Sequence, residues 1–221
     1  MKVTMNIINL EQQFKQNREQ QHYSDHFCLR IHRSLSWLKK AENSEDLDTK
    51  FITLWIAFNS AYAREIEDFG IKDRISFNEF LLRICSCDND NVIYNLVWKE
   101  FTQSIRLWLD NKFVFQPFWD FHNGKMTENE YIKAETKERE RFFSALENQK
   151  TSVILDIMFS RLYTLRNQII HGGATFNSSV NREQLKEGCA ILSLLIPAML
   201  DIMMKNHNEI DWGKPFYPVV K

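Results

Sequence analysis

Glycine and proline are scarce, six and four residues in a chain of 221, where their usual joint share is about 12%. Tight turns that need a positive or a fixed φ draw on these two residues, so few such turns can be built. That argues against a sandwich or barrel of many short strands and against Pro/Gly linkers. No G-x-G-x-x-G or Walker-type run occurs, which removes glycine-rich phosphate loops as well. An excess of one charge is missing too, since 28 Lys and Arg face 29 Asp and Glu for a net charge of −1. Any nucleic-acid site must therefore be a local patch.

Long hydrophobic runs are absent by the same reading. The longest, Cys189 to Met204, is interrupted by Ser193, Pro197 and Asp201, and it reads as too short and too polar for a membrane span. The opening residues MKVTMNIINLEQQ carry no long apolar stretch of the kind a signal peptide needs. Four scattered cysteines (Cys28, Cys85, Cys87, Cys189) fit free thiols in a reducing cytosol, so a cytoplasmic protein without a membrane partner is expected.

What is present is helical periodicity. Phe27, Ile31, Leu35 and Leu38 share a face over 24–41, and Phe51, Leu54, Trp55, Phe58 and Tyr62 share one over about 47–68. Ser76-x-x-Glu79 reads as a capping box opening a shorter helix. Asp90 or Asn91 is placed to cap a helix reaching about Leu109. Residues 111–125 break the period, and KFVFQPFWDFHNGK reads as an ordered aromatic loop. Thr127-x-x-Glu130 is a second capping box, starting a charged helix that ends near Asn148. Ser152 is placed to cap a helix over 153–171 that is apolar nearly all round, which predicts the most buried helix of the chain. Gly172-Gly173 end it, and Asn181 is placed to cap a last helix to about Met204. The expected fold is all-α. It is one helical bundle of six to seven helices over 1–221, with its core at about 25–205 and a short tail over 206–221.

Several constellations invite chemistry. His22-x-x-x-His26 spaces two imidazoles by one helical turn, but no further ligand accompanies them, and exposed histidines explain the pair. Cys85-x-Cys87 lacks the second pair of a zinc site, so no metal and no cofactor is expected. The aromatic loop offers Phe113, Phe115, Phe118, Trp119 and Phe121 beside His122. It reads either as a platform for unpaired bases or as a lid on the core. Residues 15–40 hold six Lys or Arg against two acids, which makes Arg30 and Arg33, with Trp119, candidate RNA contacts. Four acids between Glu42 and Asp48 oppose that patch.

Arg166 to His171, RNQIIH, ends the apolar helix. A histidine can take the proton of a ribose 2′-hydroxyl or protonate a leaving oxygen. An arginine can neutralise a pentavalent phosphate as it forms. With 12 Arg and 6 His in the chain, the spacing alone is expected about once by chance. Basic residues at a helix C-terminus also meet its last carbonyls favourably, with no catalysis implied. Residues five apart point about 140° away from each other on an α-helix. One straight helix therefore cannot aim both side chains at one phosphate. Either the helix distorts at its glycine end, or two copies pool their side chains across a two-fold axis.

Arg166-Asn167-x-x-x-His171 resembles the R-x(4–6)-H signature of the HEPN superfamily (higher eukaryotes and prokaryotes nucleotide-binding), in which a polar residue, often Asn, follows the Arg. LWIAFNSAY (Leu54–Tyr62) resembles the W-x-A-F-N-x-x-Y helix of many bacterial HEPN proteins, and RNQIIHGGATFNSSVN resembles their Apea-like branch. The likeness spans about residues 25–200. It implies a four-helix core with added helices, a homodimer with a composite active site, and metal-independent endoribonuclease activity. The role implied is a toxin or a phage-defence factor, with RNA as substrate and a possible cognate antitoxin. It implies catalytic roles for Arg166 and His171 and supporting ones for Asn167 and Asn59. Asn59 is equally readable as a satisfied core amide. The family also contains members that only bind or scaffold, so a non-catalytic helical module is the alternative.

Overall fold

The computed structural model describes residues 6–20, 23–63, 71–215, 217 and 219, with side chains from 77 onward in the segment that begins at 71. Among these residues the chain is all-α, with ten α-helices and no strand, more helices than expected. The chain divides into two compact units, Met1–Ile93 with Gly188–Lys221 and Tyr94–Glu187.

The first unit contains α1 (Ile7–Gln20), α2 (Asp25–Glu42), α3 (Leu47–Tyr62), α4 (Ile71–Ser86) and most of α10 (Arg182–Lys205). Ser24 caps α2 by accepting from the Phe27 amide, and Asp46 caps α3 by accepting from Thr49. The pairing of α2 with α3 is the most extensive between any two helices. Ile31, Leu35 and Leu38 are buried on α2, and Phe51, Leu54 and Phe58 on α3. Ser34 Oγ donates to the Ala57 carbonyl at 2.8 Å. Phe58, Tyr62, Phe77 and Phe80 form a chain of ring contacts that Trp212 extends. α3 ends at Tyr62, short of the expected boundary, and 64–70 lie outside the described residues. α4 begins at Ile71, so Ser76 lies inside the helix and does not cap it.

Every residue from 195 to 204 in α10 is buried. α10, rather than the helix ending at Arg166–His171, is thus the most completely buried. Ser179–Lys205 is long and apolar enough to cross a membrane, contrary to the reading from its polar interruptions. Yet 78% of its most apolar window is buried within the chain, as in a core helix. Pro197 stands inside α10 without ending it. The buried Asp201 is matched there, accepting from Gln13 Nε2 at 3.0 Å and pairing with Lys205 at 3.0 Å.

The second unit holds α6 (Thr102–Asp110), α7 (Gln116–His122), α8 (Glu128–Glu147) and α9 (Thr151–Ile170). The single helix expected from Asp90 to Leu109 is instead three pieces. These are α5 (Val92–Asn95), a π-helical turn at Leu96–Glu100 closed by Phe101 N–H to the Leu96 carbonyl, and α6. α8 opens on the capping box at Thr127 and Glu130, both halves of which are formed. α9 starts at Thr151 after Lys150, with no side-chain cap, so Ser152 lies in its first turn. α8 packs along α9, and the pair is stapled by an Arg141–Asp156 ion pair. Ile154, Met158, Leu162 and Leu165 are buried along α9.

Candidate functional site

The end of α9 is shaped by its two glycines. Gly172 adopts φ +70°, a conformation open to glycine at no steric cost. Its N–H bonds the Ile169 carbonyl at 3.2 Å, and the Gly173 N–H bonds the Gln168 carbonyl at 2.7 Å. These two crossed bonds are a Schellman closure, which satisfies carbonyls that a helix end otherwise leaves open. His171 is the C-cap residue just past Ile170, at φ −93° and ψ 13°. Its side chain is exposed and enters no hydrogen bond or ion pair with the described residues.

Arg166 is half-buried one turn earlier. Nη1 donates to Asn167 Oδ1 at 2.9 Å, and the guanidinium carbon lies 5.9 Å from the Tyr163 ring centroid. Nε is buried and donates to nothing. Arg166 and Asn167 are therefore brought together. His171 joins neither within one chain, because α9 stays helical through Ile170 and keeps the angular offset.

The expected aromatic loop is ordered as helix. Lys112–Val114 form a short 3₁₀ turn, and Gln116–His122 form α7 with Pro117 in its first turn. Val114 and Phe115 are buried, while Phe118, Trp119 and Phe121 are half-buried and Phe113 is 48% exposed. The segment is thus neither wholly lid nor wholly platform. Phe113 meets Phe118 and Trp119 at ring distances of 5.5 and 6.5 Å, and Lys112 Nζ lies 5.5 and 5.3 Å from Phe113 and Phe118. The Phe113 carbonyl accepts from Trp119 Nε1 at 2.8 Å and from Gln168 Nε2 at 2.6 Å. The second bond ties the aromatic segment to the turn of α9 between Arg166 and His171.

Arg30 is corrected outright as an RNA contact. It is fully buried, and its guanidinium donates to the carbonyls of Ala61 and Ala63 at 2.8 Å each and of Gly213 at 3.1 Å. A charge so enclosed holds three backbone ends and reaches no phosphate. Arg33 is half-buried on the same helix. Asn59 is not a satisfied core amide, since its Oδ1 is buried and accepts no hydrogen bond. His22 lies outside the described residues, and His26 is exposed. Among the described residues no three His, Cys, Asp or Glu side chains are grouped to hold a metal ion. All four cysteines are free thiols, and burial pushes Cys85 up to about 12.

Arg161 escaped the sequence reading. It is 3% exposed on α9, stacked 4.2 Å over the Phe115 ring and 3.6 Å from Glu138. It donates to the carbonyls of Asn111 and Leu109 at 3.3 and 3.5 Å. Desolvation lowers it to about 10, against the opposing pull of Glu138. Its signal in the sequence is an arginine on the inward face of an apolar helix. Its effect is to fix the residues that lead into the aromatic segment.

Compared with protein-family models, with curated proteins and with solved structures, the chain finds no match, and its own residues carry the functional reading.

Proposed function

We propose that the chain is a metal-independent endoribonuclease of HEPN type with a toxin or phage-defence role. The observation that carries the reading is the end of α9. There an arginine oriented by a neighbouring carboxamide and an exposed histidine stand within one closed helix terminus. His171 takes the proton of a ribose 2′-hydroxyl, and the freed oxygen attacks the adjacent phosphorus. Arg166 meets the charge of the pentavalent phosphate. The bond to the 5′-oxygen breaks as that oxygen takes the proton His171 has gained, leaving a 2′,3′-cyclic phosphate and a 5′-hydroxyl.

The angular offset between the two side chains calls for a second copy. Ile170, Phe176 and Val180, which are 48%, 73% and 83% exposed around this helix end, supply apolar surface for such a contact. A second reading, a non-catalytic interaction module, draws on the same exposed residues and on an Arg166 already engaged by Asn167 and Tyr163.

One comparison separates them. Wild type, Arg166→Ala and His171→Ala are assayed for growth inhibition in a bacterial host and for cleavage of total RNA with EDTA present. The nuclease reading expects wild-type cleavage to cyclic-phosphate ends and loss in both variants. Intact RNA with wild type, across cellular and synthetic substrates, leaves the interaction module. A strictly monomeric wild type that still cleaves removes the composite site.

A further inference from the structure

We infer that the aromatic segment binds an unpaired base of single-stranded RNA, with Phe113 as the stacking face and Lys112 as the cation beside it. The inference rests on the ribonuclease reading and adds to it a substrate class. Four observations carry it. Phe113 leaves about half of its surface to solvent although it sits in a ring cluster with Phe118 and Trp119. A ring already packed against its neighbours takes up a ligand at little entropic cost. Lys112 Nζ lies over the Phe113 and Phe118 rings, 5.5 and 5.3 Å from their centroids, so the aromatic cluster carries a cation at its surface.

The third observation is rigidity at the backbone. The Phe113 carbonyl accepts two side-chain bonds, from Trp119 and Gln168, and Arg161 holds the Asn111 carbonyl two residues earlier. The fourth is position. Gln168 lies two residues after Arg166 and three before His171, so the face belongs to the same helix end as the proposed chemistry.

Every base has a π-face, so stacking selects for an unpaired base and not for its identity. A base within a duplex is already stacked on both sides and cannot reach the ring. The segment therefore selects single strands, loops or bulges. A protein partner would also cover an exposed phenylalanine, but a lysine ammonium at the ring beside the proposed phosphate site favours a strand that brings a phosphate with each base.

The test uses full-length protein carrying His171→Ala, so that bound RNA stays intact. Fluorescence anisotropy measures binding of a labelled uridine oligonucleotide, the same oligonucleotide with abasic riboses, and an RNA duplex of equal length. The expected result is a preference for the single strand, lost on the abasic strand. Phe113→Leu, which keeps apolar bulk, should weaken single-strand binding by about five-fold or more, and Phe113→Tyr should restore it. Equal binding of abasic and normal strands, or unchanged affinity in Phe113→Leu, overturns the platform. Cleavage by wild type alongside either result leaves the nuclease reading standing. Base-dependent binding without cleavage leaves the platform standing alone. No RNA binding by a folded protein removes both and leaves a protein partner for the exposed ring.

Discussion

Arg166 and Asn167 are neighbours in sequence whose half-buried side chains bond to each other, Nη1 to Oδ1 at 2.9 Å, in the last turns of α9. Adjacent residues on a helix point about 100° apart, so this contact requires the long arginine to fold back along the surface. The carboxamide fixes a guanidinium that otherwise samples many rotamers. Asn167→Ala should leave thermal stability near wild type while lowering RNA cleavage about ten-fold, since one charge-assisted orienting bond is lost. Asn167→Gln, which moves the acceptor outward by a methylene, should recover part of the rate. Cleavage unchanged in Asn167→Ala would count against an orienting role.

Arg30 yields the largest stability effect. Arg30→Ala strips the donors from three carbonyls in the interior of the first unit, and each loss costs about 1–3 kcal/mol. The urea midpoint should fall by an amount worth about 3 kcal/mol or more. Arg33→Ala, on the same helix but half-buried, should change it by less than about 1 kcal/mol. Equal effects at the two positions would contradict the buried clamp.

Gly172→Ala should cost about 1–2 kcal/mol through backbone strain alone, because φ is +70° and no atom lies within 4 Å of the added carbon. Gly172→Asn should cost less, since asparagine tolerates that region. Gly173→Ala acts differently, placing a carbon 3.0 Å from the Gln168 carbonyl oxygen and pressing on the closure itself. Melting temperatures rank the three. Gly173→Ala should also reduce cleavage, because Gln168 carries the link to Phe113.

One pH dependence lies in the first unit, at Lys205 between Asp90 and Asp201. Hydrogen bonding to Asp90 raises Lys205 above 10.5, and the same bond holds Asp90 below 3.8. A raised base stabilises the fold below its unfolded value and loses that effect as pH climbs through the folded one. A lowered acid stabilises above its unfolded value and loses the effect as pH falls through the folded one. Lys205→Met should therefore be less stable than wild type between about pH 4 and pH 10. The difference should narrow on both sides, as denaturant unfolding across that range will show. Both groups are largely exposed, so the gap stays small and shrinks with salt.

How much was legible follows from where the physics is local. The ends of α2 and α8 were read to within a residue or two, because capping and one-sided periodicity are written in neighbouring residues. The closure at Gly172-Gly173 was legible for the same reason. The division of 90–110 into three pieces was not, because a π turn at Leu96–Glu100 leaves the apolar spacing almost intact. Arg30 shows the other limit. Its place in a basic stretch suggested an outward charge, and only the arrival of Ala61, Ala63 and Gly213 makes its burial affordable. Phe113 and Gln168 stand 55 positions apart, and no local pattern announces their bond.

The Arg30 clamp also sets an order in time. Translation delivers Arg30 first, Ala61 and Ala63 soon after, and Gly213 only after the whole of Tyr94–Glu187 has been made. The hairpin of α2 and α3 thus emerges from the ribosome with a guanidinium still short of one acceptor. The segment bearing Arg166 and His171 is synthesised while that vacancy lasts. A ribosome that stops before residue 213 releases a chain whose buried guanidinium keeps the Ala61 and Ala63 carbonyls and lacks its third.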